Sequence, residues 1–462
     1  MKRFPKFRAV RAALAAAALS GIAAGLIAQT APAISSRPGE RTPRPLPPPA
    51  GAEGIRLSLA EAVALAVANN QDLNVSVNAA EASRYQLFSN MGIFDPLAEA
   101  SVLRAHAEDP ATTALAGAIV TQTDTTDINT RVTQLAPSGG TFSLGFSARR
   151  TDSNSTFFFV NPAWNTGLTL AVSQPLLRNF GRDTTTWQIR IARNSRDSSY
   201  QGFVRSVQTA VNLTEQAYWD LVYAIRNLAV KQEALTVARD LNRITRIKID
   251  VGSLAPIDIT QTEVNIATTE QQIIIAEGLI GDAQDRLKRL LSFVPDQWSI
   301  PIIPTDEVRA EQPDVNVEQG IQAAFERRPE IITAQYSVDS DRIRYEYWRN
   351  QTRPQLDLVG TYGNSGIGGP TTIRDENGNV ISRVDGDFGD AIQQVFDRDF
   401  KNWSIGLNFS YPILNRFARG QRGAALYTWE SNKAALNSIE QNVLLEVRTA
   451  ARDIETAKRS IA

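Results

Sequence analysis

Apolar residues recur along this chain with two different periods, in separate blocks. Between 203 and 294 the period is seven. Ile259, Ile266, Ile273, Ile280, Leu287 and Val294 step by seven, and Thr262, Thr269, Ala276, Ala283 and Leu290 follow three places after the first five. That is the a/d seam of a coiled coil. Upstream, Val211, Tyr218 and Ile225 form one seven-step series, and Leu221, Leu228 and Leu235 form the other. The pattern breaks at Val251-Gly252-Ser253-Leu254-Ala255-Pro256. It predicts an antiparallel helical hairpin with arms on the order of 50–70 Å long at ~1.5 Å per residue. Small Thr and Ala at the d positions would let the two helices approach closely, and could equally line a pore. Arg243, Arg246 and Lys248 near the break read as a solvated face or as the flank of a docking tip.

Elsewhere the period is two. Phe142-Ser-Leu-Gly-Phe-Ser-Ala148 and Leu168-Thr-Leu-Ala-Val-Ser-Gln174 alternate apolar with small or polar residues. Trp403-Ser-Ile-Gly-Leu-Asn-Phe-Ser-Tyr411 does so most cleanly. Its length and aromatic ends fit a tilted membrane strand, although a strand of a soluble sandwich would also alternate. Residues 57–90 return to helical spacing, with Ser58 and Glu61 as a capping-box pair. Pro137-Ser-Gly-Gly140 signals a turn, and between the segments at 142–148 and 168–174 lies a polar, Asn/Ser-rich loop with a Phe157-Phe158-Phe159 cluster.

The two halves share a plan. Asn316-Val-Glu-Gln-Gly-Ile321 lines up with Ser58-Leu-Ala-Glu-Ala-Val63, and Arg327-Arg-Pro-Glu-Ile331 with Asn69-Asn-Gln-Asp-Leu73, both at an offset of 258 that also sets Pro354 on Pro96. At a second offset, 237, Leu407-Asn-Phe-Ser-Tyr-Pro-Ile-Leu414 falls on Leu170-Ala-Val-Ser-Gln-Pro-Leu-Leu177, and Arg416-Phe-Ala-Arg419 on Asn179-Phe-Gly-Arg182. Such self-similarity predicts a duplicated unit. Pro96, Pro175, Pro354 and Pro412 stand where strand pattern meets helix pattern, joints that suit a residue without a ladder donor. The expected organisation is a first repeat over 57–294, with strands in 94–175 and the hairpin in 203–294, then a linker over 295–315 and a second repeat over 316–462. No counterpart of the hairpin lies within the second repeat, which is therefore expected to be C-terminally incomplete.

The N-terminus changes the compartment. Lys2, Arg3, Lys6, Arg8 and Arg11 precede an Ala-rich apolar stretch and Ala31-Pro32-Ala33, the plan of a signal peptide over 1–33, with a membrane anchor as the alternative. A Pro-rich tether over 34–56 follows. Without the leader, 43 basic residues face 49 acidic ones, about −6, which gives no reason to expect nucleic acid. Cysteine is absent from the sequence, so disulfides, thiol catalysis, Cys-bound metals and a lipidated Cys are excluded. No later segment is long and apolar enough for a membrane helix, which leaves a β-barrel as the way into a bilayer.

Together these motifs resemble the TolC-like family of outer-membrane efflux and secretion channels. The resemblance rests on Leu57-Ser-Leu-Ala-Glu-Ala-Val63 with Asn69-Asn-Gln-Asp-Leu73, on Gln174-Pro-Leu-Leu-Arg-Asn-Phe-Gly181, on the tip Val251-Gly-Ser-Leu254 with Asp258, and on the duplicated halves. It implies a mixed α and β fold, in which an all-antiparallel transmembrane β-barrel with four strands per subunit in a homotrimer is continued by a long periplasmic α-helical coiled-coil barrel. Partners implied are a periplasmic adaptor, met at Val251, Gly252, Ser253, Leu254 and Asp258, an inner-membrane transporter and outer-membrane lipid. The family's tip carries Val-Gly-Leu, whereas here Ser253 precedes Leu254. The strand-like pair 130–135 and 142–148 has no clear mate in the second half, and would extend the barrel strands or form an external hairpin.

The expected function is a passive outer-membrane conduit in a tripartite efflux or type I secretion system, with a soluble periplasmic coiled-coil scaffold as the alternative. No constellation supports an enzyme or a cofactor. His106 is the single histidine and lacks Cys or His partners, so it points to neither metal nor catalysis. Gly363, Gly366, Gly368 and Gly369 precede Pro370 and a polar run instead of a helix, and read as an external loop. Asp375-Glu-Asn-Gly-Asn379 and Asp385-Gly-Asp387 lack calcium-loop spacing, and Asn377-Gly378 reads as a turn.

Overall fold

The computed structural model of the protein describes residues 54–110, 119–155, 158–307, 315–374 and 380–461. The expected leader, the tether up to residue 53, Phe157 and the turn at 375–379 lie outside the described residues. In chain order come β1 (Ile55–Leu57), α1 (Leu59–Asn69), α2 (Gln71–Met91), β2 (Leu97–Pro110), β3 (Val120–Leu135), β4 (Thr141–Ser153) and β5 (Ala163–Pro175). Then follow α3 (Trp187–Asp250), α4 (Ile257–Leu290), β6 (Ile302–Pro304), α5 (Val317–Arg327) and α6 (Pro329–Gln351). The last elements are β7 (Gln355–Gly368), β8 (Thr371–Arg374), β9 (Val380–Val384), α7 (Phe388–Asp397), β10 (Phe400–Ser410) and α8 (Arg416–Ile461). Among the described residues no helix is long and apolar enough to cross a membrane.

The chain divides into two units. Of the described residues, the helical one takes those from 54 to 85, from 195 to 336 and from 434 to 461. Its core joins Ile55, Leu57, Leu65, Tyr218, Leu221, Leu287 and Leu291. Ile55 and Arg56, placed by sequence at the end of the tether, belong instead to β1, which pairs in parallel with β6 inside the expected linker. Both strands carry apolar residues that this core buries.

The helical run over 57–90 is in fact two helices. The Ser58–Glu61 capping box starts α1. Asn70 then breaks the run, its Oδ1 accepting the backbone N–H groups of Asp72 (2.8 Å) and Leu73 (3.3 Å) and so capping α2. In the second half Asn316 caps α5 through the Gln319 N–H at 3.1 Å, and Arg328 makes the break before Pro329 at the head of α6. Leu73 and Ile331, one turn past the two breaks, are both buried.

The sheet-bearing unit takes 86–194 and 337–433. Its centre is a single six-stranded sheet of order β10-β7-β5-β4-β3-β2, antiparallel at every step. Six strands replace the four expected. The pair 130–135 and 142–148 is the turn-side part of β3 and β4, which run on as full strands between β2 and β5. Much of β3 is Thr, Asp, Asn and Gln, so its alternation was too weak to mark a full strand.

The glycine stretch is also corrected, because Gly363, Gly366 and Gly368 lie within strand β7. α7 packs directly on that strand. A Cβ on Gly366 would meet the Ala391 carbonyl oxygen at 2.1 Å, and one on Gly368 the Asp387 carbonyl oxygen at 2.1 Å. Thr166 Oγ1 donates to the Ala391 carbonyl at 2.9 Å, and Trp164 packs on Phe388. The glycines are there to let a helix backbone touch a sheet.

Candidate channel wall and hairpin tip

The tip comes first. α3 ends in a Schellman motif, with the Ser253 N–H donating to the Lys248 carbonyl at 2.7 Å and the Gly252 N–H to the Ile249 carbonyl at 2.8 Å. The motif requires a left-handed residue, and Gly252 supplies it at φ 77°. A Cβ built there would meet nothing within 4 Å. Val251 is 70% exposed and Leu254 38%, so two apolar side chains flank an open glycine. Asp258 lies in the first turn of α4, where its charge complements the helix dipole.

Below the tip the arms close along the expected seam of α4, where Thr269, Ala276, Ala283 and Leu287 are buried. On α3 the seam takes Tyr218, Leu221, Ala224 and Ala238, whereas Ile225 is 37% exposed and falls outside it. The small residues do bring the helices close. Polar bridges cross the hairpin as well: Asn242 Nδ2 donates to Thr262 Oγ1 at 2.6 Å, Arg239 pairs with Glu270 at 2.9 Å, and Arg246 with Glu263 at 2.8 Å. Arg246 therefore ties the arms together, and Arg243 pairs with Asp240 on its own helix.

The base of the hairpin carries a polar lock that the heptads did not announce. The fully buried Tyr218 donates its phenol hydrogen to Asp306 Oδ2 at 2.7 Å, and the same oxygen accepts the Leu59 N–H at 2.6 Å. These two donors hold the Asp306 carboxyl below the ordinary carboxylate range, the phenol contributing most. Burial foremost pushes the Tyr218 phenol up. Tyr218→Phe is expected to weaken this lock by about 1.5–3 kcal/mol, the range for a hydrogen bond to a charged group. Amide hydrogen exchange checks it through a roughly ten- to hundredfold loss of protection at Leu59. Because the folded carboxyl is the stronger acid, the lock is complete above the ordinary value near 4. It is lost as pH falls through the lower folded value, so the difference between wild type and variant is full at pH 7 and fades in that acid window.

The sheet has two unlike faces. One row across all six strands reads Trp403, Tyr362, Leu170, Leu144, Val132 and Ala98. The row one residue toward the other face reads Asn402, Gly363, Thr169, Gly145, Arg131 and Glu99. Apolar and polar residues are thus sorted to opposite sides, and β3 and β4 obey the rule despite their composition. The apolar side is open along β10, where Trp403, Ile405, Leu407 and Phe409 are all exposed large side chains, whereas α7 lies on the same side at the Thr166, Gly366 and Gly368 end of β5 and β7.

The four prolines stand where the chain enters or leaves this sheet. Pro96 precedes β2, Pro175 closes β5, Pro354 precedes β7, and Pro412 follows β10 by two residues. Around Pro175 and Pro354 the exits are stitched together, with the Leu176 N–H donating to the Leu356 carbonyl at 2.7 Å and the Arg178 N–H to the Pro354 carbonyl at 3.2 Å. Sequence reading missed the asparagines that make the corners. Asn179 (φ 64°) and Asn415 (φ 40°) are left-handed, a conformation that asparagine tolerates. Asn350 Oδ1 holds the Asn179 N–H at 2.8 Å. The 237 offset had set Asn179 against Arg416, one residue past the actual second corner.

His106, in β2, lies between Asp124 (3.1 Å) and Glu108 (3.3 Å) and is exposed. Among the described residues no group of three or more His, Asp or Glu side chains is placed to hold a metal ion.

Known proteins are similar to this chain in sequence and in fold. Nodulation protein T of Rhizobium leguminosarum bv. trifolii is 23% identical over 276 residues, covering 57% of this chain and 53% of that protein. The chain thus spans about half the length of that curated relative. A membrane protein of Pseudomonas aeruginosa superposes with a TM-score of 0.58 at 18% identity, over 87% of this chain and 78% of the other. The CmeC outer membrane channel of Campylobacter jejuni does so at 0.53 and 18%, over 84% and 68%. At such identities the superpositions establish a common fold, that of TolC-like channels. The sequence profile of the outer membrane efflux protein family matches residues 126–292 and 320–462, well over half the chain. The chain belongs to the outer membrane efflux protein family.

Proposed function

We propose that this outer-membrane protein is the channel subunit of a tripartite efflux or type I secretion system, working as a homotrimer. The observation that carries the reading is the sheet: one face apolar and exposed, the other polar, with both edge strands unpaired in a single chain. A bilayer accepts such a sheet only if it closes, since open edges leave backbone donors and acceptors in hydrocarbon. Copies of the chain supply the closure, the apolar face meets outer-membrane lipid, and the polar face lines the conduit.

The hairpin forms the periplasmic extension. Besides its internal seam, α3 carries a second heptad series, Tyr223, Val230, Val237 and Ile244, continued by Val251 just past its end, all exposed in the single chain. An unburied apolar stripe of that period suits packing against a neighbouring copy. Val251, Gly252, Ser253, Leu254 and Asp258 dock a periplasmic adaptor, which links the channel to an inner-membrane transporter. The channel conducts passively, and adaptor engagement relaxes the packed helices at the tip. Pro96, Pro175, Pro354 and Pro412 are the barrel–helix joints of two repeated halves. The matching caps and breaks at Ser58 and Asn316 and at Asn70 and Arg328, each 258 residues apart, support that duplication.

Fractionation tests the proposal against a soluble periplasmic scaffold. A heat-resistant trimer in detergent extracts of the outer membrane is expected, whereas release of the protein by osmotic shock would exclude the channel.

A further inference from the structure

We infer that each copy contributes six strands to the barrel, so that the trimer closes at eighteen strands rather than twelve, with β2 of one copy paired to β10 of the next. This rests on the channel reading above. The antiparallel order β10-β7-β5-β4-β3-β2 sends its two edge strands in opposite directions. A head-to-tail ring of copies therefore keeps antiparallel pairing at every junction, as a barrel of even strand number requires. Both edges are open, since every residue of β2 is exposed and β10 is exposed at all but one position.

Two features make β3 and β4 part of the wall. Their turn is fastened to the corner where β5 leaves the sheet: the Gly181 N–H donates to the Ser138 carbonyl at 3.0 Å, and Ser138 Oγ to Gln174 Oε1 at 2.8 Å. A Cβ on Gly139, in the same turn, would meet the Asn179 carbonyl oxygen at 2.3 Å. The hairpin is thus seated against the same corner as the strands beside it. Second, the apolar band continues across β3 and β4, through Val132 and Ile128 and through Phe142, Leu144 and Phe146, and shifts along the strands from one edge of the sheet to the other. On β2 it centres on Ala100, which the ladder sets level with Lys401; on β10 it centres between Ile405 and Leu407. Averaged over the five steps between strands, that is a drift of about one residue per strand. With ~3.4 Å per residue and ~4.8 Å between strands, a band held level in a bilayer then demands a strand tilt of about 35°, the tilt of membrane barrels. A hairpin lying outside the wall would have no reason to keep the band or its slope.

The absence of cysteine gives a clean background for cross-linking. Ser404→Cys in β10 is combined in turn with Glu99→Cys, Ser101→Cys or Leu103→Cys in β2, all on the polar face, and with Ser143→Cys or Ser147→Cys in β4. The detergent-extracted protein is treated with a short bismaleimide, whose reach is less than the width of the intervening strands within one copy. The expected result is a covalent trimer from β10–β2 pairs and none from β10–β4 pairs, with eighteen strands in a cryo-electron microscopy map. Cross-linking of β10 to β4 between copies, with twelve strands, overturns the inference while leaving the channel intact. A ring closed through β10–β2 but not trimeric also overturns the count. Monomer alone in the osmotic-shock fraction removes the channel reading and the inference together.

Discussion

Gly252→Trp is expected to abolish export while leaving the trimer and its insertion unchanged. The effect is large because the position is conformationally demanding yet sterically empty. At φ 77° a non-glycine residue costs about 1–2 kcal/mol, small against the many turns of α3 and α4 that the seam clamps together. No neighbour lies within 4 Å of the added Cβ, so the indole projects outward between Val251 and Leu254. It occupies the surface on which an adaptor would have to close, and a docking surface tolerates a misplaced ring far less well than a solvated loop does. Gly252→Ala carries the same backbone strain without the bulk and is expected to retain most export. Drug-susceptibility or secretion assays, run beside a count of trimers in the outer membrane, separate lost docking from lost protein. Normal export by Gly252→Trp would remove the tip from the docking surface.

The hairpin was legible because its information is periodic: four a/d residues of α4, Thr269, Ala276, Ala283 and Leu287, are buried, and the break at Gly252 is marked by the residue type the turn demands. The sheet was half legible. β10 alternates strong hydrophobics with Ser, Gly and Asn, so its face could be read from the chain, whereas β3 presents Thr130 and Thr126 on the apolar side and Asp127 and Asn129 on the other, a contrast too weak to define a strand without its neighbours. Threonine satisfies both environments, and only the ladder to Phe146 and Arg150 assigns it. β7 hid for the opposite reason: Gly366 and Gly368 are loop residues by propensity and strand residues by necessity, because α7 lies on them, and its contact through Ala391 is made more than twenty positions further along the chain. The lock of Tyr218, Leu59 and Asp306 likewise spans 247 positions, and a heptad reading assigns Tyr218 to the seam without seeing where its hydroxyl goes. The expectation of four strands came from the family resemblance, whereas the sheet of this chain has six.

The second large effect is expected at Ile405. It sits midway along β10 on the apolar face, 70% exposed in the single chain, with Gly360 as its ladder partner. A charge on the lipid side of a barrel strand near the bilayer midplane costs about 2–4 kcal/mol. A homotrimer carries the substitution three times, so Ile405→Arg penalises assembly by roughly 6–12 kcal/mol, comparable to the whole stability of a folded domain. The trimer band in outer-membrane extracts should disappear and the protein accumulate in the periplasm or be degraded. Asn408→Arg is the matched control, three residues away on the other face. There it stands opposite Asp357, in water if that face lines the conduit, and trimer yield should stay near wild type. The pair reads the orientation of the sheet directly. Equal tolerance of both charges would mean that neither face meets lipid, and the reverse order would turn the barrel wall inside out. Only loss of the trimer at Ile405 with survival at Asn408 fits a sheet whose Trp403–Phe409 side is solvated by the membrane.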